Sequence, residues 1–342
     1  MTLATTSARD CTRVGRFAVW IAVGLVPGCG SPNLDFIAGR LSDAGAIPDH
    51  PGRGRVQVAG VSVVTDMGSV LRASDLPIDV MPDFPLDRQL FRDMANAEGL
   101  NAVQVYLEHW AEPTGSHVAQ ADTIVEEARR AGLYVILGIG GGPAGDGHPG
   151  NGWFDLEKVR SYWQFYAPRY ADQAHVLYQI QNQPEPGCDG VWQDATIAME
   201  REAYGLIRSL APQSHIVLFS FGAVPTPALL GDSLDRVSDI VDWSKASVGM
   251  GAMATCVGTA QFVDTFAAAT AHHAPISIAG MPPDDWTASA LELERDRVGW
   301  TSMRWLARLP DFTSFRTEHD QASVRWCPDF GTWPENAATC AH

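Results

Sequence analysis

From Arg55 onward, short apolar and β-branched runs alternate with longer segments whose apolar positions recur every three or four residues. The short runs are Val56–Thr65, Ala102–Leu107, Leu133–Ile139, His175–Gln181, His215–Phe221, Ala246–Gly249, Pro275–Ala279 and Phe312–Arg316. Most are nearly continuous in hydrophobicity, the pattern of strands buried on both faces. The helical period occupies Asp87–Glu98, Asp122–Ala131, Leu156–Ala171, Asp194–Leu210, Ala260–His272 and Asp285–Leu309. Asp122 is placed to cap its helix and Gly132 to end it. Eight strands separated by helices predict an α/β fold, a single (β/α)8 TIM barrel over residues 55–342. A doubly wound sheet is the alternative. It requires a glycine fingerprint after the first strand, and Thr65-Asp66-Met67-Gly68-Ser69 is not one.

The residues ahead of the barrel read as an address and a tether. Arg9, Arg13 and Arg16 form a basic region, and Phe17–Val26 is an apolar run of ten residues. That run is too short for a bilayer, which takes about 20 residues, and suits a secretory signal. Val26-Pro27-Gly28-Cys29 resembles a bacterial lipobox, so residues 1–28 are expected to be a signal peptide and Cys29 the lipidated N-terminus. Residues 29–54, rich in Gly, Pro, Asp and Ser, read as a tether. The expected location is the bacterial cell envelope, periplasmic or at the cell surface, held by the lipid anchor only. Cysteine usage agrees with export: Cys188, Cys256, Cys327 and Cys340 remain, an even number that suggests two disulfides with three possible connectivities. Cys327 with Cys340 closes a short loop and is the most natural pair, leaving Cys188 with Cys256.

Charge narrows the partners. The 24 cations against 40 anions give a net charge of -16, which disfavours binding to nucleic acid. The apolar content of 46% with 19% charged residues is that of a globular chain, expected to be a monomer. No Cys/His cluster has metal-ligand spacing, so no metal and no cofactor are expected. The glycine-dense Gly138–Gly152 lacks the ending of a phosphate loop, and no Gly-x-Ser-x-Gly elbow is present.

In a barrel of this kind the site lies at the C-terminal ends of the strands. The residues to inspect are therefore Glu108-His109-Trp110, Gly140–Asn151, Asn182–Glu185, Phe221-Gly222, Met250-Gly251, Met281–Asp285 and Glu318-His319. Of 11 tryptophans, Trp110, Trp153, Trp192, Trp286, Trp326 and Trp333 fall in or near the expected loops and the C-terminal segment. Indole faces suit the C–H faces of sugar rings. Large aromatics also cap barrel ends. Trp163, Trp300 and Trp305 fall in helical segments and read as core.

The segment Tyr162–Gly187, YWQFYAPRYADQAHVLYQIQNQPEPG, resembles the fourth-strand region of clan A glycoside hydrolases, the cellulase-like family 5 above all. The passage from Asp122–Ala131 into Gly-Leu-Tyr-Val-Ile-Leu is similar to that family's third strand, and EAYGLIRSLAPQSHIVL (Glu202–Leu218) to its fourth helix and fifth strand. The resemblance implies a (β/α)8 barrel acting on an oligo- or polysaccharide. It implies a Glu in an Asn-Glu-Pro motif as acid/base and a second Glu on strand seven as nucleophile, about 5 Å apart. Here the motif is Asn182-Gln183-Pro184, and Pro275–Met281 holds no acid. Gln104 stands for the family's second-strand Arg and Gly140 for its third-strand His, and Ala246–Met253 lacks its His-x-Tyr.

Three readings follow. The first is a glycosidase-like barrel that recognises a carbohydrate but is inactive by the retaining mechanism, with Asn182, Gln183, Glu108, Trp110, Trp192 and Trp286 contacting the sugar. The second is an active O-glycosyl hydrolase with relocated carboxylates: Glu185 as acid, with Asp284, Asp285 or Glu318. The third is a surface scaffold that binds another protein.

Overall fold

A computed structural model of the chain describes residues 49–79, 81–96, 99–140, 155–182, 194–223, 225–254, 262–280, 293 and 297–302. A short antiparallel hairpin, β1 (Gln57–Ala59) and β2 (Ser62–Val64), comes first. Then follow β3 (Arg72–Pro77), α1 (Arg88–Asn96), β4 (Ala102–Tyr106), α2 (Val118–Ala131), β5 (Tyr134–Gly138), α3 (Leu156–Arg169), β6 (Val176–Gln179) and α4 (Asp194–Leu210). The described chain continues through β7 (Ile216–Ala223), α5 (Pro227–Asp235), β8 (Ala246–Ala254), α6 (Phe262–Ala271), β9 (Ile276–Gly280) and β10 (Trp300–Ser302).

Strands β3 to β10 pair in sequence, all parallel, and β10 returns to pair with β3. That closes an eight-stranded (β/α)8 barrel, as the alternation of patterns predicts. The first and last strands differ from the sequence reading. Val56–Thr65 is not the first barrel strand; it supplies the hairpin, with Ser62 beside Ile276 of β9. The first barrel strand is β3, where Arg72, Ser74, Asp75 and Pro77 interrupt the apolar run that marks the other strands. The true eighth strand, β10, lies inside the segment expected to be the helix Asp285–Leu309. Three residues are too few to show a period. Trp300 is thus a buried strand residue. Phe312–Arg316 lies outside the described residues.

Two helices also differ. α2 starts at Val118, ahead of Asp122, whose carboxylate instead accepts from Arg169 and from the Tyr170 hydroxyl (2.9 Å). The ending at Gly132, in the left-handed conformation, is as expected. α5 was not expected, because Pro225-Thr226-Pro227 reads as a turn. Thr226 in fact caps the helix through its hydroxyl, with Pro227 in the first turn, where its missing N–H is harmless.

Strand register sorts the barrel's side chains into layers. Ala73, Ala102 and Tyr134 are neighbours in one, Asp75, Gln104, Ile136 and Leu177 in the next, and Tyr106, Gly138, Gln179 and Val217 in the third. The first two layers hold an inner apolar cluster, completed by Val63 and Leu71. The alternate residues, such as Val103, Val105, Val135, Leu137 and Tyr178, face the helices in the larger core. In α3 the buried positions Val159, Tyr162, Trp163, Tyr166 and Ala167 form one helical face, started by the Asp155 cap. Trp163 Nε1 donates to Ile180 O at 3.0 Å and the Tyr162 hydroxyl to Gly138 O at 2.9 Å.

The chain is docked ahead of the expected start at Arg55. His50 N donates to Arg130 O (2.7 Å), and Arg53 Nε donates to Gly132 O (2.7 Å) while its guanidinium pairs with Asp66 (3.1 Å). The junction before β10 is tight. A Cβ on Gly299 would lie 2.2 Å from Ser277 O and 2.8 Å from Leu71 O, both backbone atoms. Gly299→Ala is therefore expected to cost about 1–3 kcal/mol in urea unfolding, because neither strand can yield. Among the described residues no helix is long and apolar enough to cross a membrane.

Candidate functional site

The C-terminal ends of β3 to β6 bring together residues far apart in the chain. Gln104 Nε2 donates to Gln179 Oε1 at 2.6 Å, and Gln179 Nε2 to Gln181 O at 3.3 Å. Burial raises the pKa of the Tyr106 hydroxyl, a hydrogen bond with Gln179 lowers it, and Asp75 and Asp79 raise it further, so the phenol stays neutral. Backbone bonds lace the strand ends: Asp79 N to Tyr106 O (2.9 Å), Gly140 N to Glu108 O (2.8 Å) and Asn182 N to Ile139 O (3.0 Å). The inside of the upper barrel is thus lined with amides, a phenol and carboxylates, where many barrels carry branched aliphatics.

Gly140 is required by a close approach. A Cβ there would lie 1.9 Å from Asp79 Oδ2, so the Asp79 carboxylate fills the space of a side chain at 140. Asp79 is not legible in the sequence, because it follows β3, whose polar residues hide the strand.

Glu108 is fully buried instead of lining an open rim. Its Oε2 accepts from Lys158 Nζ at 2.8 Å, and its Oε1 from the Tyr166 hydroxyl at 2.5 Å and Gly115 N at 2.7 Å. Lys158 Nζ also donates to Glu112 O at 2.6 Å. All its acceptor capacity faces the loop after β4 and helix α3, which is a fastening role. The same loop carries Trp110, half-buried, with its ring edge-to-face to His109 at 5.8 Å. Glu112 Oε1 lies 2.8 Å from His117 Nε2.

A second buried carboxylate stands behind the mouth. Glu200, on α4, has no exposed surface. Gln181 Nε2 donates to its Oε1 at 3.0 Å and the Phe219 backbone N–H to its Oε2 at 3.2 Å. Burial pushes its carboxyl up to about 7 against the pull of these two bonds. Its signal was available in the sequence: it shares a helical face with Ile197, Ala203, Tyr204 and Ile207, an acid where the period demands an apolar residue.

Asn182 lies at the end of β6 and is buried. Gln183, Glu185, Asp284, Asp285, Trp192 and Trp286 lie outside the described residues, as do Cys29, Cys188, Cys256, Cys327 and Cys340. So does Glu318, 16 residues past the eighth strand, Trp300–Ser302. Among the described residues no group of three His, Cys, Asp or Glu side chains could hold a metal.

A parallel barrel of eight strands with a polar mouth belongs to the class that carries its site on the loops after the strands. The sequence profile of the cellulase family, glycosyl hydrolase family 5, matches residues 70–247, from just before β3 into β8. The chain belongs to this family. Comparison with curated protein sequences finds no match. Among solved structures, the catalytic domain of Thermobifida fusca endoglucanase is similar at 18% identity and TM-score 0.54, over 73% of this chain and 84% of that one. The Thermomonospora fusca β-mannanase in complex with mannohexaose is similar at 19% identity and TM-score 0.52, over 73% and 83%. The β-glucanase of Saccharophagus degradans, in complex with cellotetraose, is similar at 15% identity and TM-score 0.54, over 77% and 89%. These likenesses are of fold.

Proposed function

We propose that this protein is an exported, lipid-anchored barrel that holds an oligo- or polysaccharide at its mouth and cleaves it poorly. The observation that carries the reading is the absence of both expected carboxylates. The strand-four motif reads Asn182-Gln183-Pro184, and β9, the seventh strand, reads Ile-Ser-Ile-Ala-Gly. A glutamine amide cannot cycle a proton at neutral pH. A positioned acid/base contributes roughly 10²–10⁴ in rate, and without a nucleophile the covalent route is closed. Asn182, Gln183, Trp110, Trp192 and Trp286 would supply amide hydrogen bonds and stacking faces. Solved structures of similar fold hold cellotetraose and mannohexaose, which supports a carbohydrate as ligand.

Gln183→Glu separates this reading from a simple loss of one acid. The substitution is expected to leave hydrolysis at background, because β9 still offers no nucleophile. A gain of about 10² or more in sugar release would overturn the proposal. One observation favours the alternative of relocated carboxylates: Asp284 and Asp285 follow β9 closely, and Glu185 follows the strand-four motif. Under that reading wild-type protein releases sugar and Glu185→Ala does not.

A further inference from the structure

The apolar face that α4 turns to the barrel carries one carboxylate, Glu200. Burying an ionisable group here carries a desolvation cost that an aliphatic residue would not. Its two oxygens reach two different strands. Oε1 accepts from Gln181 Nε2 beyond β6, beside Asn182, and Oε2 accepts from the Phe219 N–H in β7. Phe219 and Ser220 have φ of 66° and 39°, a left-handed backbone without glycine. Such residues are strained and persist only where their surroundings hold them. At the same place the register of β7 against β8 shifts, between Leu218 and Phe221. The charged neighbours on α3 and α4 are engaged elsewhere, Glu202 with Arg160 and Arg201 with Asp239.

We infer that Glu200 is a positioning residue of the mouth, tying the Gln181–Asn182 end of β6 to the left-handed Phe219–Ser220 turn of β7. The fourth and fifth strand ends are thereby set as one unit, and Asn182 is presented from it. The ligand part of this inference rests on the proposed carbohydrate function. The brace itself does not. A glutamine at 200 keeps both bonds once the Gln181 side-chain amide turns over: its oxygen accepts the Phe219 N–H, and its Nε2 donates to Gln181 Oε1, which lacks a partner among the described residues. A leucine at 200 fills the space and abolishes both bonds.

The test compares full-length wild type, Glu200→Leu and Glu200→Gln by amide hydrogen exchange and by binding of cellohexaose and mannohexaose. Glu200→Leu is expected to speed exchange of the Phe219 amide about tenfold or more, the loss of one buried hydrogen bond, and to weaken sugar binding about tenfold. Glu200→Gln is expected to restore both to within about twofold, with exchange in α2 and α3 the same in all three. Wild-type exchange at Phe219 in Glu200→Leu overturns the brace. Equal impairment in the Leu and Gln variants also overturns it, because glutamine keeps the shape of Glu200 and both hydrogen bonds of the brace. If wild type binds neither sugar, the carbohydrate reading fails, and the exchange comparison by itself decides the brace.

Discussion

Replacing Lys158 with Met is expected to destabilise the protein by about 3–5 kcal/mol. Glu108 is wholly buried and its main compensating charge is the Lys158 ammonium, 2.8 Å from Oε2. The Tyr166 hydroxyl and Gly115 N–H still donate to Oε1 without the lysine. They leave Oε2 facing an apolar thioether, and a buried carboxylate without its cation is among the costliest arrangements a core can hold. Glu108→Gln removes the charge along with the pairing and is expected to cost less. Lys158→Met combined with Glu108→Leu should recover much of the loss, since an ion pair replaced whole by apolar groups is often nearly neutral. Urea unfolding at pH 7 measures all three. A single Lys158→Met within about 1 kcal/mol of wild type would show that this pair does not fasten the loop after β4 to α3.

Glu200 makes stability depend on pH in the opposite sense to an ordinary paired carboxylate. Its carboxyl titrates at 4.5 before folding and at about 7 in the native state, chiefly through burial. The native state therefore holds the proton more tightly than the unfolded chain. This contribution is fully present below pH 4.5 and is lost as pH rises through about 7. At 1.36 kcal/mol per pH unit, the rise corresponds to about 3 kcal/mol between pH 4 and pH 8. Glu200→Gln has no proton to lose. Its unfolding free energy, relative to wild type, is expected to climb by about 3 kcal/mol over that interval, with most of the change between pH 5 and pH 7. A difference that stays constant with pH would mean that Glu200 keeps a solvated carboxyl's affinity for protons. The comparison with Gln isolates this group from the other acids of a chain with 40 Asp and Glu.

Strands two to seven of the barrel were legible because parallel strands buried on both faces are almost continuously apolar, as Tyr134–Gly138 is. Strand one was not, since β3 carries Asp75 into the barrel interior beside Gln104, and a polar interior erases the pattern. Strand eight was hidden by brevity, with Trp300, Thr301 and Ser302 set in a stretch of helical composition. At the site, the Asn182-Gln183-Pro184 motif could be read directly because it is contiguous. The partnership of Glu108 with Lys158 could not, because it joins residues 50 positions apart. Asp79 against Gly140 depends likewise on which strand ends meet at the mouth. Glu200 lay between these cases: its misfit on an apolar helix face was visible, while its partners Gln181 and Phe219 emerge only when β6 and β7 lie side by side.

The proposed function is carbohydrate binding without efficient cleavage. Sensitive detection of released sugar ends by the purified domain, over a broad polysaccharide panel and with Glu185→Ala alongside, tests it most directly. Binding to at least one member of the panel with release at background is the predicted result. Release that disappears in Glu185→Ala would overturn the proposed function and identify an active hydrolase whose acid has moved two residues along the chain from Gln183.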